Sequence, residues 1–351
     1  MVRGRSPERA AFLVKALNAE GIACASWAIP TEPSLALVRG GVECARREEC
    51  DLVIALGGGS AIDAGKAIAA LLTNDGDATD YLEVIGKGRP LQNPPLAFIA
   101  IPTTAGTGSE VTRNAVLAST EQRVKVSLRS PLMLARLAVV DPELTLNLPP
   151  ALTAHTGLDA LTQLIEPYVS SRANPLVDGF CLEGLRRVSR SLRRAYRCGS
   201  DLGAREFMSL ASLLGGLSLA NAGLGVVHGI AAPLGGMFDA PHGAVCAALL
   251  PHGMAVNIRA SRARAPEGET LRRYETIARL LTGKPDALAE DGVDWVRQLC
   301  RELQIPPLRS YGVQEHDVPT LVAKAAQASS TKGNPIPLTA DELQEMLTRA
   351  L

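Results

Sequence analysis

The sequence predicts an α/β domain followed by an all-helical domain, and three observations lead there. In the first half, buried apolar runs such as DLVIALGGG (51–59) and LAFIAIPTT (96–104) alternate with segments of helical periodicity. Continuous apolar strands between helices are the pattern of a parallel sheet covered on both faces. After the pair Pro149-Pro150 nearly every segment has a helical pattern instead. At 351 residues the chain is too long for one small core, and a hydrophobic content of 46% is enough to bury a sizeable one. Aromatic residues are only 3%, so that core is expected to be built of Ala, Leu, Val and Ile. The domains are placed at 1–148 and 149–351.

The elements follow in order. Residues 6–21 (SPERAAFLVKALNAEG) read as a helix with Ser6 as N-cap, Pro7 at N1 and Gly21 as the stop. IACASWAI (22–29) reads as a strand and 33–49 as a helix. The buried strand 51–59 ends in glycines and runs into a helix at 60–73; 96–104 is a second buried strand. Residues 111–129 have the pattern of a β-hairpin, and LAVVD (137–141) is the last strand. Helices are expected at 151–171, 175–197, 203–222, 225–236, 242–260, 268–283, 290–303, 315–327 and 339–350. A sheet of this kind opens with a strand, yet only MVRGR precedes the first helix, so the first strand is expected to be truncated.

Charge and cysteine usage narrow the function. Lys+Arg and Asp+Glu are equal at 36 each, which argues against electrostatic binding to nucleic acid or a membrane surface. Seven scattered cysteines with no CxxC pair read as reduced thiols of a cytosolic protein. No charge-free apolar run approaches the length of about 18 residues that a spanning helix needs, and MVRGRSPERA lacks the apolar core of a signal peptide.

Two loops have the chemistry of a phosphate cradle. LVIALGGGSAIDAGKAI (52–68) is strand, glycine-rich turn and helix, so backbone N–H groups and a helix N-terminus can face a pyrophosphate. It is not the G-x-G-x-x-G fingerprint, and a bare GGG turn is also compatible with a tight strand-to-helix connection. IAIPTTAGTGSEVT (99–112) brings Thr103, Thr104, Thr107 and Ser109 to the end of a neighbouring strand, the edge where ligands of open α/β sheets bind. A third group is Asp159, Gln163, His228 and His242. One carboxylate and two imidazoles suit Zn2+ or Fe2+. Spacing alone leaves three readings open: a metal site, a damaged metal site and an ordinary amphipathic helix with packed histidines.

Four motifs in order, ALGGGSAIDAGKAI, IPTTAGTGSEVT, TGLDALTQLIEPYVS and HGIAAPLGGMFDAPHG, resemble the iron-containing (group III) alcohol dehydrogenase family over nearly the whole chain. The resemblance implies a dehydroquinate synthase-like fold, with an N-terminal dinucleotide-binding α/β domain and a C-terminal helical domain that holds a divalent metal. It implies that Gly58, Gly59, Ser60 and Asp63 form the pyrophosphate and nicotinamide turn, that Thr103, Thr104 and Thr107 form the second cofactor loop, and that Lys125 lies near the cofactor. Asp159, His228 and His242 match three metal ligands. Two positions depart from the family pattern. Its usual histidine four residues after the aspartate is Gln163 here, a weaker oxygen ligand at best, and a histidine proposed to help proton transfer is Ala232.

The expected activity is reversible hydride transfer between NAD(P) and a small alcohol or aldehyde, with Fe2+ or Zn2+ as Lewis acid. The family's aspartate after the first strand repels a 2′-phosphate; the matching residue is Gly4, followed by Arg5, so NADP(H) is expected to be accepted. A homodimer is implied. Two alternatives stand beside this reading: a maleylacetate-reductase-like enzyme, for which Arg113 is the one basic residue to nominate, and a degenerate nucleotide-binding homologue. The Arg-rich run 183–197 has the spacing of a solvated helix face.

Overall fold

A computed structural model describes residues 1–351. The chain divides into two compact units: Met1–Thr104 with Ser109–Leu144, and Ala105–Gly108 with Thr145–Leu351. The division thus falls four residues before the expected boundary, and the short loop 105–108 groups with the later unit.

In the first unit the order is β1 (Val2–Arg3), α1 (Glu8–Ala19), β2 (Trp27–Ala28), α2 (Leu35–Arg47), β3 (Leu52–Gly57), α3 (Gly59–Thr73), α4 (Ala78–Tyr81), β4 (Ala97–Pro102), β5 (Asn114–Ser119), β6 (Val124–Arg129) and β7 (Leu137–Ala138). Five strands form one parallel sheet in the order β2-β1-β3-β4-β7. The residues ahead of α1 do supply a strand. Val2 pairs with Trp27 on one side and Ala55 on the other, so a two-residue strand lies inside the sheet. The expected strand at 22–29 shortens to Trp27–Ala28 because a strand pairs only as far as its neighbour extends, and β1 offers two residues. Ser6 does not cap α1; Pro7 occupies the cap position and makes no side-chain cap bond. The expected hairpin is present as β5 and β6, antiparallel from Asn114↔Arg129 to Ser119↔Val124.

The sheet and its helices enclose an apolar cluster that includes Val38, Ile62, Ile68, Leu82, Leu117 and Leu128. Burying each such side chain contributes about 1.5–3 kcal/mol. β3 and β4 carry their apolar runs to Gly57 and Pro102, where chemistry replaces packing. Gly57 has no room for a side chain, since a Cβ there would lie 2.6 Å from the Cβ of Ala61. That close approach lets the chain turn directly from β3 into α3.

The second unit is helical: α5 (Pro150–Val169), α6 (Pro175–Arg197), α7 (Leu202–Ala222), α8 (Val226–Met237), α9 (His242–Arg264), α10 (Glu269–Thr282), α11 (Ala289–Glu302), α12 (Val318–Gln327) and α13 (Ala340–Ala350). Its core includes Leu158, Leu161, Leu164, Leu185, Leu192 and Ile230, all inaccessible to solvent. The arginines of α6 do form a solvated face: Arg187 pairs with Glu183, Arg194 with Asp201, and Arg193 with Glu302 of α11. No single helix is long and apolar enough to cross a membrane; α7 and α8 pass such a test only together, bent by 98°.

Candidate metal centre

Helix α5 begins at Pro150, whose fixed φ suits the first helical position. One stripe of the helix is polar although it is buried: Asp159, Gln163 and Glu166 are 1%, 3% and 5% exposed. Their spacing of four and then three residues puts them on one face. His228 lies in the first turn of α8 and is also buried. His242 is the first residue of α9, behind Pro241. The next residue, Gly243, is pressed so closely on α5 that a Cβ would lie 2.6 Å from the carbonyl oxygen of His155. That contact brings the start of α9 alongside Asp159.

Three helices therefore deliver donors to one point. Asp159 Oδ1 is 3.4 Å from His228 Nε2 and 3.7 Å from His242 Nε2. The two rings have centroids 5.4 Å apart. Cys246 Sγ, one turn along α9, is 3.6 Å from His242 Nε2. Donor atoms of Asp159, His228, His242 and Cys246 all lie within 4.8 Å of one another. Behind them, Glu166 Oε2 bonds His228 Nδ1 at 2.6 Å, while Glu166 Oε1 accepts from the Val227 N–H at 2.7 Å. With Nδ1–H donated to Glu166, the Nε2 lone pair is turned toward Asp159, the tautomer a metal-ligating imidazole needs.

The fit to a cation rests on what these atoms lack. Asp159 Oδ1 and His228 Nε2 are buried without a hydrogen-bond partner, as is Gln163 Oε1. Leaving such groups unsatisfied costs about 1–3 kcal/mol each, more for a charge, and a shared divalent ion would satisfy the first two at once. Without an ion, the crowded groups perturb one another strongly. Burial opposes ionisation of Asp159, but His242 and His228 outweigh it and hold the carboxyl below its usual range. Burial also opposes protonation of His228, yet the negative groups around it, Cys246 and Glu166 first, raise its pKa well above normal. The Cys246 thiol is pulled below its ordinary value by the two histidines, against the effect of burial. Gln163 is placed differently. Its oxygen faces α7, 3.5 Å from where a Cβ on Gly215 would stand, and a hydrogen bond from its side chain helps keep Asp159 ionised.

In the first unit, Gly58 caps α3, and Gly59 and Ser60 open it, so their N–H groups point out of the helix N-terminus. Thr103 N–H bonds the Gly57 carbonyl at 2.9 Å, which ties the loop after β4 to that turn. Thr104 packs on Gly58; Thr107 belongs to the segment that groups with the helical unit. Asp63 has partners within the first unit. Its carboxylate receives the Ser109 hydroxyl, the Val116 N–H at 3.0 Å and the Lys66 ammonium at 3.0 Å, so it fastens the loop and β5 to α3. Lys125 forms an ion pair with Glu32 at 3.1 Å. Gly4 follows β1 and donates to the Leu56 carbonyl at 3.3 Å, and Arg5 beyond it is exposed. Arg113 is exposed just before β5.

Glu166, Cys246 and Lys66 carry weight that the sequence reading did not assign. The only signal for Glu166 was its place seven residues beyond Asp159, and for Cys246 its place four residues beyond His242. Both spacings return a helix to the same face.

A parallel sheet with a glycine-rich strand-to-helix turn, joined in one chain to a helical unit with a convergent Asp-His-His donor set, defines a metal-assisted enzyme of dinucleotide chemistry. Comparison with known proteins narrows the class. The family described as iron-containing alcohol dehydrogenase matches residues 4–142, and its companion, the Fe-containing alcohol dehydrogenase family, C-terminal, matches residues 153–351. A 1,3-propanediol dehydrogenase of Citrobacter freundii is 39% identical over 319 residues, covering 89% of this chain and 79% of that protein. Alcohol dehydrogenase 4 of Schizosaccharomyces pombe is 40% identical over 324 residues, covering 92% and 74%. A crystal structure of a 1,3-propanediol oxidoreductase superposes with a TM-score of 0.90 at 36% identity, covering 99% of this chain and 92% of that one. The chain belongs to the iron-containing alcohol dehydrogenase family, and its activity is metal-dependent, NAD-linked alcohol oxidoreduction.

Proposed function

We propose that the chain interconverts a short, uncharged primary alcohol and its aldehyde, with Asp159, His228 and His242 holding the divalent ion. The observation that carries this is the convergence of the three side chains from α5, α8 and α9, with buried donor atoms left unpaired. A cation held there supplies Lewis-acid polarisation of the substrate oxygen. Asp159 gives the site its one negative oxygen, and Glu166 keeps His228 in the ligating tautomer. The first unit has a separate task. N–H groups at the start of α3 and the hydroxyls of Thr103 and Thr104 offer donors to a dinucleotide phosphate, while Asp63 and Lys66 hold that loop in shape. The proton has no imidazole at Ala232 to carry it. His155 is one turn before Asp159 on α5, and burial holds its pKa below the ordinary value, so at neutral pH it is an unprotonated acceptor. The names of the relatives, a propanediol and an alcohol dehydrogenase, support a small hydroxyl substrate. The maleylacetate alternative gains nothing from Arg113, which is exposed. A homodimer belongs to the same proposal, as does a reducing, cytoplasmic setting, which the seven free cysteines favour.

Metal removal tests the assignment. Dialysis against a strong chelator is expected to abolish aldehyde reduction, and adding back Fe2+ or Zn2+ is expected to restore it. Full activity at zero metal content would remove the Lewis-acid role.

Cofactor choice follows from Gly4. A Cβ at this position would meet nothing within 4 Å, so a carboxylate fits there without disturbing β1. We infer that NADPH is accepted because that charge is missing. Gly4→Asp is expected to lower kcat/KM for NADPH relative to NADH by about 10–100-fold, the effect of one extra negative charge near a 2′-phosphate. A wild-type enzyme that strongly prefers NADH, with the ratio unmoved in Arg5→Ala, would contradict this.

A further inference from the structure

The donor cluster contains a sulfur that the Asp-His-His reading does not use. Cys246 is fully buried and shares a face of α9 with His242, four residues earlier. Cys246 belongs to the apolar core of the helical unit, yet its Sγ faces His242 Nε2 at 3.6 Å and lies within 4.8 Å of the donors of Asp159 and His228. Three of the six donor–donor separations can be compared directly with those around a common ion. Zinc bonds of about 2.0–2.1 Å to nitrogen, 2.0–2.2 Å to oxygen and 2.3 Å to sulfur give tetrahedral edges of about 3.3–3.6 Å. The observed separations are 3.4 Å for oxygen to His228, 3.7 Å for oxygen to His242 and 3.6 Å for sulfur to His242. Independently, the buried, unpartnered Asp159 Oδ1 and His228 Nε2 are directed at the same point. Gln163 leaves a place in the set, because its oxygen is turned to Gly215 on α7.

We propose that Cys246, as the thiolate, is the fourth protein ligand of the metal in place of Gln163, and that the resulting O,N,N,S set favours zinc over iron. The proposal rests on Asp159, His228 and His242 holding a metal. Its consequence is a softer site than one of oxygen and imidazole alone; thiolates suit zinc among other soft ions, and a mononuclear site of this kind binds Zn2+ more tightly than Fe2+. With four protein ligands, a substrate oxygen would have to enter as a fifth ligand, a coordination number that catalytic zinc sometimes reaches in its transition states.

Cobalt substitution separates this proposal from the reading beneath it. The full-length protein, stripped and loaded with one equivalent of Co2+, is expected to show a near-ultraviolet thiolate-to-cobalt charge-transfer band. Cys246→Ser and Cys246→Ala are expected to lose that band, still bind cobalt about 10–100-fold more weakly and melt as cooperatively as the wild type. Gln163→Ala is expected to keep the band. Stoichiometric cobalt binding by the wild type with no such band would overturn the thiolate ligand and leave the Asp-His-His site standing. No cobalt binding at all would overturn both. The wild-type spectrum decides the matter even if a variant folds poorly.

Discussion

Asp159→Ala is expected to lower kcat/KM for aldehyde reduction by about 10³-fold or more, together with loss of bound metal. The carboxylate is 1% exposed and faces both imidazoles through the same oxygen, at 3.4 and 3.7 Å. Metal polarisation of a substrate oxygen supplies several kcal/mol, and about 4 kcal/mol corresponds to three powers of ten in rate. Alanine is the best helix former, so α5 itself is not weakened by the change. Removing the carboxylate leaves the two imidazoles without the negative oxygen that both of them face. Kinetics and metal analysis on the same preparation check the expectation. A variant that keeps its metal and wild-type kcat/KM would show that Asp159 is not a ligand.

Lys66→Met is expected to cost the first unit about 3–5 kcal/mol of stability, the penalty for removing one partner of a buried ion pair. The ammonium is 1% exposed and pairs with Asp63 at 3.0 Å. It also donates to the carbonyls of Ser109 and Asn114 and to the Thr112 hydroxyl. Methionine fills the same space but strands those acceptors and leaves Asp63 with a charge that only Ser109 and Val116 address. A cost of this size lowers the melting temperature by roughly 10 °C. Adding Asp63→Asn is expected to return part of the loss, so the double variant is more stable than the sum of the single effects predicts. Thermal melts of the four proteins measure the cycle, and strict additivity would mean that the two groups are not coupled.

The sequence made some of this legible and hid the rest for physical reasons. The helices after Pro150 were readable because apolar residues recur at helical spacing over long stretches, as in α6 and α11. The hairpin of β5 and β6 was readable from its alternation. Strand lengths were not, because pairing belongs to two segments: residues 22–26 have strand-like character, but β1 gives them nothing to pair with. Ser6 looked like a cap, yet capping depends on where the first turn closes. The carboxylate and the two histidines could be nominated because a resemblance pointed to them. Glu166 and Cys246 were invisible for a different reason. Glu166 meets His228 across 62 residues of sequence, and only the packing of α5 against α8 reveals it. Asp63 could be placed near the glycine turn, but its partners at Ser109 and Val116 come from a loop and strand whose direction the sequence does not encode.

The donors of this centre all stand on helices packed into one core, and none stands on a loop. Such a scaffold has its geometry ready before any ion arrives, so little ordering entropy is lost on loading. It also cannot splay apart when the ion departs. Stripped of a cation, such a centre would keep a carboxylate, a thiol and two imidazoles crowded together, with His242 partly open to solvent, and the tension would be met by drawing in protons. Loss of the proposed metal would therefore be answered by protonation of the donors and not by movement of the helices that carry them.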